Sequence, residues 1–302
     1  MTSSTLTQIA PAVDATRAAS GTRRRRSGRD GSRAGVALRI VVAVIASAIV
    51  FFPLYWMLVI AFSPRGEVFA PGPPRFWPST LSLENFATVF ERFPVGDWFV
   101  NSVVIGAFVT ALTVAVNLTA GWAFARLRFP GRNALFLLAL ATMMIPVQAI
   151  MVAQFRLVAG LEIYGTYWSV ILPGAAAAFG IFLARQFFLS IPEELLEAAR
   201  IDGAGQLRVF LQVVLPLSRP LIAVLVLLTL LGSWNDFAWP LIALKDNDLF
   251  TLPIGLLYLK GQSTPDYSAS MALALVSVLP MVVLFLAFQR YFVQGFARSG
   301  IR

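Results

Sequence analysis

Residues 190–205 read SIPEELLEAARIDGAG, and four of the chain's 15 acidic residues, Glu193, Glu194, Glu197 and Asp202, fall within ten positions of this stretch. On both sides of it the sequence turns apolar for long runs. Of the 302 residues, 58% are hydrophobic and only 13% charged, with a mean hydropathy of +0.76. A chain so poor in charge takes a bilayer as its solvent. The quoted segment is therefore a polar loop of an integral membrane protein.

Six stretches are long and apolar enough to cross a hydrocarbon layer of about 30 Å, which takes roughly 20 helical residues. They are residues 36–62, 98–124, 134–158, 166–188, 221–244 and 269–292. Helices are expected throughout, because lipid offers exposed backbone groups no partner and these runs exceed the length of barrel strands. The expected fold class is all-α, with six transmembrane helices. Residues 1–35 form an Arg-rich N-terminal tail without apolar periodicity, read as disordered; residues 36–296 form the membrane domain; residues 297–302 form a short C-terminal tail. The Arg run at residues 23–26 precedes a span longer than the apolar region of a signal peptide, so an uncleaved anchor is expected. Counted over the tail and alternate loops, 18 of the 24 lysines and arginines lie on one side of the membrane and six on the other. The positive-inside rule then places both termini and the loop at residues 190–220 in the cytoplasm of a multi-pass membrane protein.

Composition also limits the chemistry. Cysteine and histidine are absent, which removes disulfides, thiolate metal sites and the commonest general base. Neither lysine, Lys245 nor Lys260, follows a GxxxxGK[ST] loop, so the backbone cradle for nucleotide phosphates is missing. No catalytic residue, metal ligand or cofactor is expected on this chain; if ATP drives it, a partner holds the nucleotide and its magnesium. The net charge of +9 comes from arginines in the tail and loops, which suits anionic lipid headgroups rather than nucleic acid.

Ser190 and Glu193 fit a capping box, with Pro192 in the first helical turn, and the acidic residues cluster where a helix dipole favours them. Gly203 and Gly205 flank a turn that ends this helix, and residues 206–215 form a second one, closed by Pro216 and Pro220. Ala198 and Ala199 leave a surface poor in side chains, beside which Glu197 and Asp202 can fix register by charge-assisted hydrogen bonds. Such an element is either a docking knob for another chain or an amphipathic connector between spans.

Glu197-Ala198-Ala199, three residues, Gly203, nine residues, Val213, one residue and Leu215-Pro216 resemble the EAA loop of ABC importer permeases, with Val213 in place of the usual Ile. Residues 124–132 (FARLRFPGR), Trp234-Asn235-Asp236-Phe237 with Trp239-Pro240-Leu241, and residues 289–295 (QRYFVQG) are similar to the smaller permease of the maltose-type carbohydrate importers. The resemblance covers nearly everything after the tail and implies the type I importer permease fold. It implies that Glu197, Ala198, Ala199, Asp202, Gly203 and Pro216 couple to an ATPase. The implied partners are a second, homologous permease, two ATP-binding subunits carrying ATP and Mg, and an extracytoplasmic sugar-binding protein. Where the family often ends in a Gly-rich tail, this chain ends FARSGIR.

For a substrate pathway, Asp236 stands out as an acid within an apolar run. Trp234, Asn235 and Phe237 beside it combine aromatic surface with amide groups, which suits sugars; an interfacial aromatic belt is the other reading. Pro146 predicts a kink in the third span, and Gln148 after it is a candidate to line a route. Asn117 is expected to bind helix to helix. Glu84-Asn85-Phe86, in the outer segment, resembles the family's periplasmic stretch and is read either as a contact for a binding protein or as a surface amphipathic element. Permeases for polyols or glycerol phosphate esters, and an ion-coupled secondary transporter, are the alternatives to a carbohydrate importer.

Overall fold

The computed structural model describes residues 33–72, 75–262 and 266–299, and every regular element among them is helical. The Arg-rich run of the N-terminal tail and the last three residues of the C-terminal tail lie outside the described residues. The chain divides into two units at Pro53. Helix α1, Arg33–Phe62, begins in the first, whose apolar side chains such as Val44, Ile49 and Val50 are exposed. In water that surface would be a liability; in lipid it is ordinary.

In the second unit, α2 (Glu84–Arg92) follows an extended segment and leads into α3, Val95–Arg126. Asn85 ties this segment to the end of α1, its amide donating to the carbonyls of Ile60, Ala61 and Ser63 at 3.3, 3.1 and 2.8 Å. Those are carbonyls a helix end leaves without an intrahelical partner. The Glu84-Asn85-Phe86 motif thus serves the fold at two of its positions, Asn85 as this cap and Phe86 against the ring of Phe62.

Three of the six expected spans are unbroken helices, lying within α1, α3 and the final α14, Tyr267–Ser299. The other three are interrupted. The third is α4 (Arg132–Ala141) and α5 (Val147–Gly160), set at 108° on either side of Pro146, so the expected kink is a complete break. Pro146 has no N–H to continue the ladder, and the residue before it is extended. The fourth comprises a single turn, α6 (Trp168–Ile171), a break at Pro173-Gly174, and α7 (Ala178–Leu189). Two α3 side chains make this break tolerable: the Thr113 hydroxyl donates to the Gly174 carbonyl at 2.6 Å, and the Asn117 carbonyl oxygen accepts from the Ala177 N–H at 3.3 Å. Irregular backbone survives at membrane depth where protein groups satisfy it.

After α7 come α8 (Glu193–Ile201) and a continuous helical run made of α9 (Gln206–Val209), a π turn (Phe210–Val214) and α10 (Leu215–Leu217). The fifth expected span starts at a sharp bend of 78° as α11, Arg219–Asn235, stops at Asp236, and resumes as the short α12, Ala238–Ala243. Helix α13, Leu252–Lys260, then precedes α14.

Helix α3 is the hub, with α7 and α11 packed along it. Close approach depends on glycine: a Cβ at Gly121 would come within 2.5 Å of the Ala184 Cβ, and one at Gly180 within 2.0 Å of the Asn117 amide nitrogen. Small residues at such crossings let helices pack in lipid, where burial of apolar surface no longer drives association. Asn117 therefore joins helix to helix, as its position in the sequence suggested.

Candidate functional site

Two places carry features that packing alone does not require. The first is the hairpin at residues 190–220. Helix α8 is held by Leu196, fully buried with Ala184, Phe188, Val209, Phe210 and Val214. It ends in a Schellman turn, in which the Gly203 N–H donates to the Arg200 carbonyl and the Ala204 N–H to the Ala199 carbonyl, each at 3.0 Å. Gly203 has φ +79°, a conformation costly to any residue with a Cβ, while the space around it is open. Its glycine is required by the turn and not by crowding.

The capping box is absent. Pro192, with ψ 136°, is the N-cap residue, and Ser190 instead closes α7, its hydroxyl donating to the Phe187 carbonyl at 2.7 Å. Glu193 turns to Arg126 and to Arg200, the latter at 3.2 Å. Arg126, at the end of α3, also donates from Nε and Nη2 to the Phe188 carbonyl at 3.1 and 2.9 Å and from Nη2 to the Ile191 carbonyl. One guanidinium fork thereby joins α3, the C-terminus of α7 and the first residue of α8. The three elements are thus tied together at one point.

Glu197, Ala198, Asp202, Gly203 and Pro216 are exposed; Ala199 is half buried and turns toward Leu196 and its neighbours, so only Ala198 presents the expected bare surface. Sequence reading passed over Ile201, 85% exposed, and Leu207, 70% exposed. They stand on either side of the rigid turn, and Leu195, Leu211 and Leu217 of the same hairpin are exposed as well. Their signal was present: an Ile and a Leu on either side of Asp-Gly-Ala-Gly.

The second place is an open cavity of about 820 Å³ lined by α3, α5, α7, α11 and the breaks between them. Asn235 and Asp236 line it, as do Thr113, Asn117, Thr229 and Ser233. Asp236 sits at the break rather than within a span, its carboxylate accepting the Ala238 N–H at 3.1 Å. Trp234 does not reach the cavity: its indole N–H donates to the Ser277 carbonyl at 3.1 Å and its ring meets the Phe99 edge. Phe237 and Gln148 are exposed and also outside the lining, which holds Trp239 and Gln154 instead. The missed hydroxyls have a pattern, since Thr113 lies four residues from Val109 and Asn117 on one face of α3, and Thr229 and Ser233 lie four apart on one face of α11.

Family comparison joins the two places. The model of the binding-protein-dependent transport system inner membrane component matches residues 117–298, which include both the hairpin and most of the cavity wall. The chain belongs to this family. This permease is 40% identical over 256 residues to the arabinooligosaccharides transport system permease protein AraQ of Halalkalibacterium halodurans, covering 84% of this chain and 92% of that one. It is 34% identical over 264 residues to the sn-glycerol-3-phosphate transport system permease protein UgpE of Escherichia coli, covering 85% and 94%. A crystal structure of a bacterial ABC transporter involved in the import of the acidic polysaccharide alginate contains a chain matching with TM-score 0.75 at 23% identity, over 86% of this permease and 98% of that chain. The permease has the type I importer fold.

Proposed function

We propose that this permease is the membrane-spanning subunit of an ATP-driven carbohydrate importer and that residues 190–220 seat an ATP-hydrolysing subunit. The observation that carries the reading is the hairpin: a buried Leu196 and a Schellman glycine hold α8 rigid while Ala198, Ile201 and Leu207 face outward. Exposed apolar side chains beside a fixed turn suit a surface that seats another chain. The names of AraQ relatives at up to 40% identity, from two bacilli, support an oligosaccharide as cargo.

In this reading the hairpin and both termini face the cytoplasm, as the charge bias indicates. A second, homologous permease completes the pathway, two ATPase subunits hold ATP and Mg, and an extracytoplasmic binding protein delivers the solute. Closure of the ATPase pair moves α8; Arg126 passes the movement to α3 and α7; the cavity between them changes its access from one side to the other. The permease itself makes and breaks no covalent bond.

The UgpE relative favours a second reading, in which the cargo is a glycerol phosphate ester. Reconstitution of the permease with its partners in liposomes separates these, by uptake of labelled arabinose or glucose oligosaccharides against labelled glycerol 3-phosphate. Oligosaccharide uptake that requires internal ATP is the expected result. Uptake that ignores ATP and follows an ion gradient would overturn both readings.

A further inference from the structure

The permease carries a formal charge of +9, yet among the described residues no lysine or arginine lines its cavity, and Asp236 is the sole ionisable group there. The nearby cations are turned elsewhere. Arg156 lies two residues beyond the lining Gln154, which puts it on the other side of α5. Arg185 donates to the Phe124 carbonyl at 3.3 Å and lies over the Phe136 ring at 4.4 Å. What the cavity does offer is neutral polar groups that both donate and accept, the hydroxyls of Thr113, Thr229 and Ser233 and the amides of Asn117, Gln154 and Asn235, set among apolar side chains.

We propose that this half of the pathway passes uncharged, hydroxyl-rich solutes and excludes anions, with Asp236 the residue that sets the sign. The proposal rests on the reading of the chain as a permease and decides between its two cargo classes. A phosphate ester or uronate entering the cavity sheds hydration and meets no cation in return. It meets instead a carboxylate held at the break by the Ala238 N–H, in a cleft whose many apolar side chains focus its field on the solute. A neutral sugar loses only hydroxyl hydration, and Thr229, Ser233 and Asn235 replace those bonds. Asp236 is thus a specificity residue, and no proton or bond is transferred at it.

The chain contains no cysteine, so Ser233→Cys introduces its single thiol, inside the cavity. The assembled transporter, built with cysteine-free partners in liposomes, is treated with methanethiosulfonates of similar size bearing a positive, a negative or no charge. Rates are normalised to those of a free thiol. The positive reagent is expected to react about tenfold faster than the negative one, and Asp236→Asn in the same background to bring the two within about threefold. Equal rates with Asp236 present, a faster negative reagent, or a preference that Asp236→Asn leaves unchanged overturns the proposal. So does failure of the neutral reagent, which would mean that the cavity is not on an aqueous route. Oligosaccharide uptake by liposomes without the cysteine is measured in parallel. Loss of uptake with the charge preference intact counts against the transport reading and leaves the cavity's sign standing.

Discussion

The hairpin at residues 190–220 and the break at Pro173-Gly174 are both interruptions between apolar helices, but they are held in opposite ways. The hairpin closes on its own backbone, with Gly203 and Ala204 bonded to carbonyls three and five residues earlier. The break is closed from a distance, by Thr113 and Asn117, some 60 residues back on α3. A locally closed loop keeps its shape when its surroundings move, which suits a docking element. A remotely closed break changes when helices shift, which suits the wall of a cavity that must open on alternate sides.

Leu196→Ala is expected to have the largest effect on the hairpin, at a cost of about 2–5 kcal/mol for a side chain fully buried there. The ATPase subunits should fail to co-purify, while a thiol in the cavity still reacts as before; loss of cavity reactivity as well would mean the two regions are not separable. Next comes Asn117→Leu, which leaves the Ala177 N–H without its acceptor, a loss of about 1–3 kcal/mol, and crowds Gly180. Uptake should fall at least about tenfold with ATPase subunits still bound. Retained uptake would show that the break does not need α3.

Arg126 joins the regions, so its substitutions test the link. Arg126→Lys keeps one charge but not the fork, and Arg126→Ala removes both. Hydrolysis should continue in each while solute carried per ATP falls about twofold to fivefold in Lys and further in Ala, an order set by the lost carbonyl bonds. Equal ratios in all three proteins would make Arg126 a fold residue alone. Ser190→Ala is expected to change stability by less than about 0.5 kcal/mol, since no capping box is present. A larger loss would restore the helix start that the sequence suggested.

How much could be read from the residues follows the same division. The helix, turn, helix of the hairpin and the role of Gly203 were legible because backbone bonds within a few residues create them. The start of α8 was misplaced: Arg126, 67 residues away from Glu193, takes the carboxylate that the capping box needed. Hydropathy located all six apolar runs; of the three broken ones, Pro146 announced a kink in the third, and the breaks in the fourth and fifth went unread. Pro173-Gly174 is an ordinary breaker signal, yet whether a break is tolerated depends on donors and acceptors supplied by α3. Asn235 and Asp236 were found because polar groups are rare in such runs. Trp234 was misread because an indole's partner, here the Ser277 carbonyl, lies on another helix.

The central claim is that α8 and its rigid turn couple this permease to an ATPase. The most direct test compares wild type with Gly203→Val in liposomes that hold the permease, its homologous partner, the ATPase subunits and the binding protein, reading ATP hydrolysis with and without sugar. At φ +79° a β-branched side chain costs at least about 1–2 kcal/mol and must distort the turn, though nothing crowds it. Sugar-stimulated hydrolysis in wild type and its loss in Gly203→Val, with both permeases still present in the membrane, is the result this account predicts. Undiminished stimulation in Gly203→Val would contradict it and reduce the hairpin to a connector.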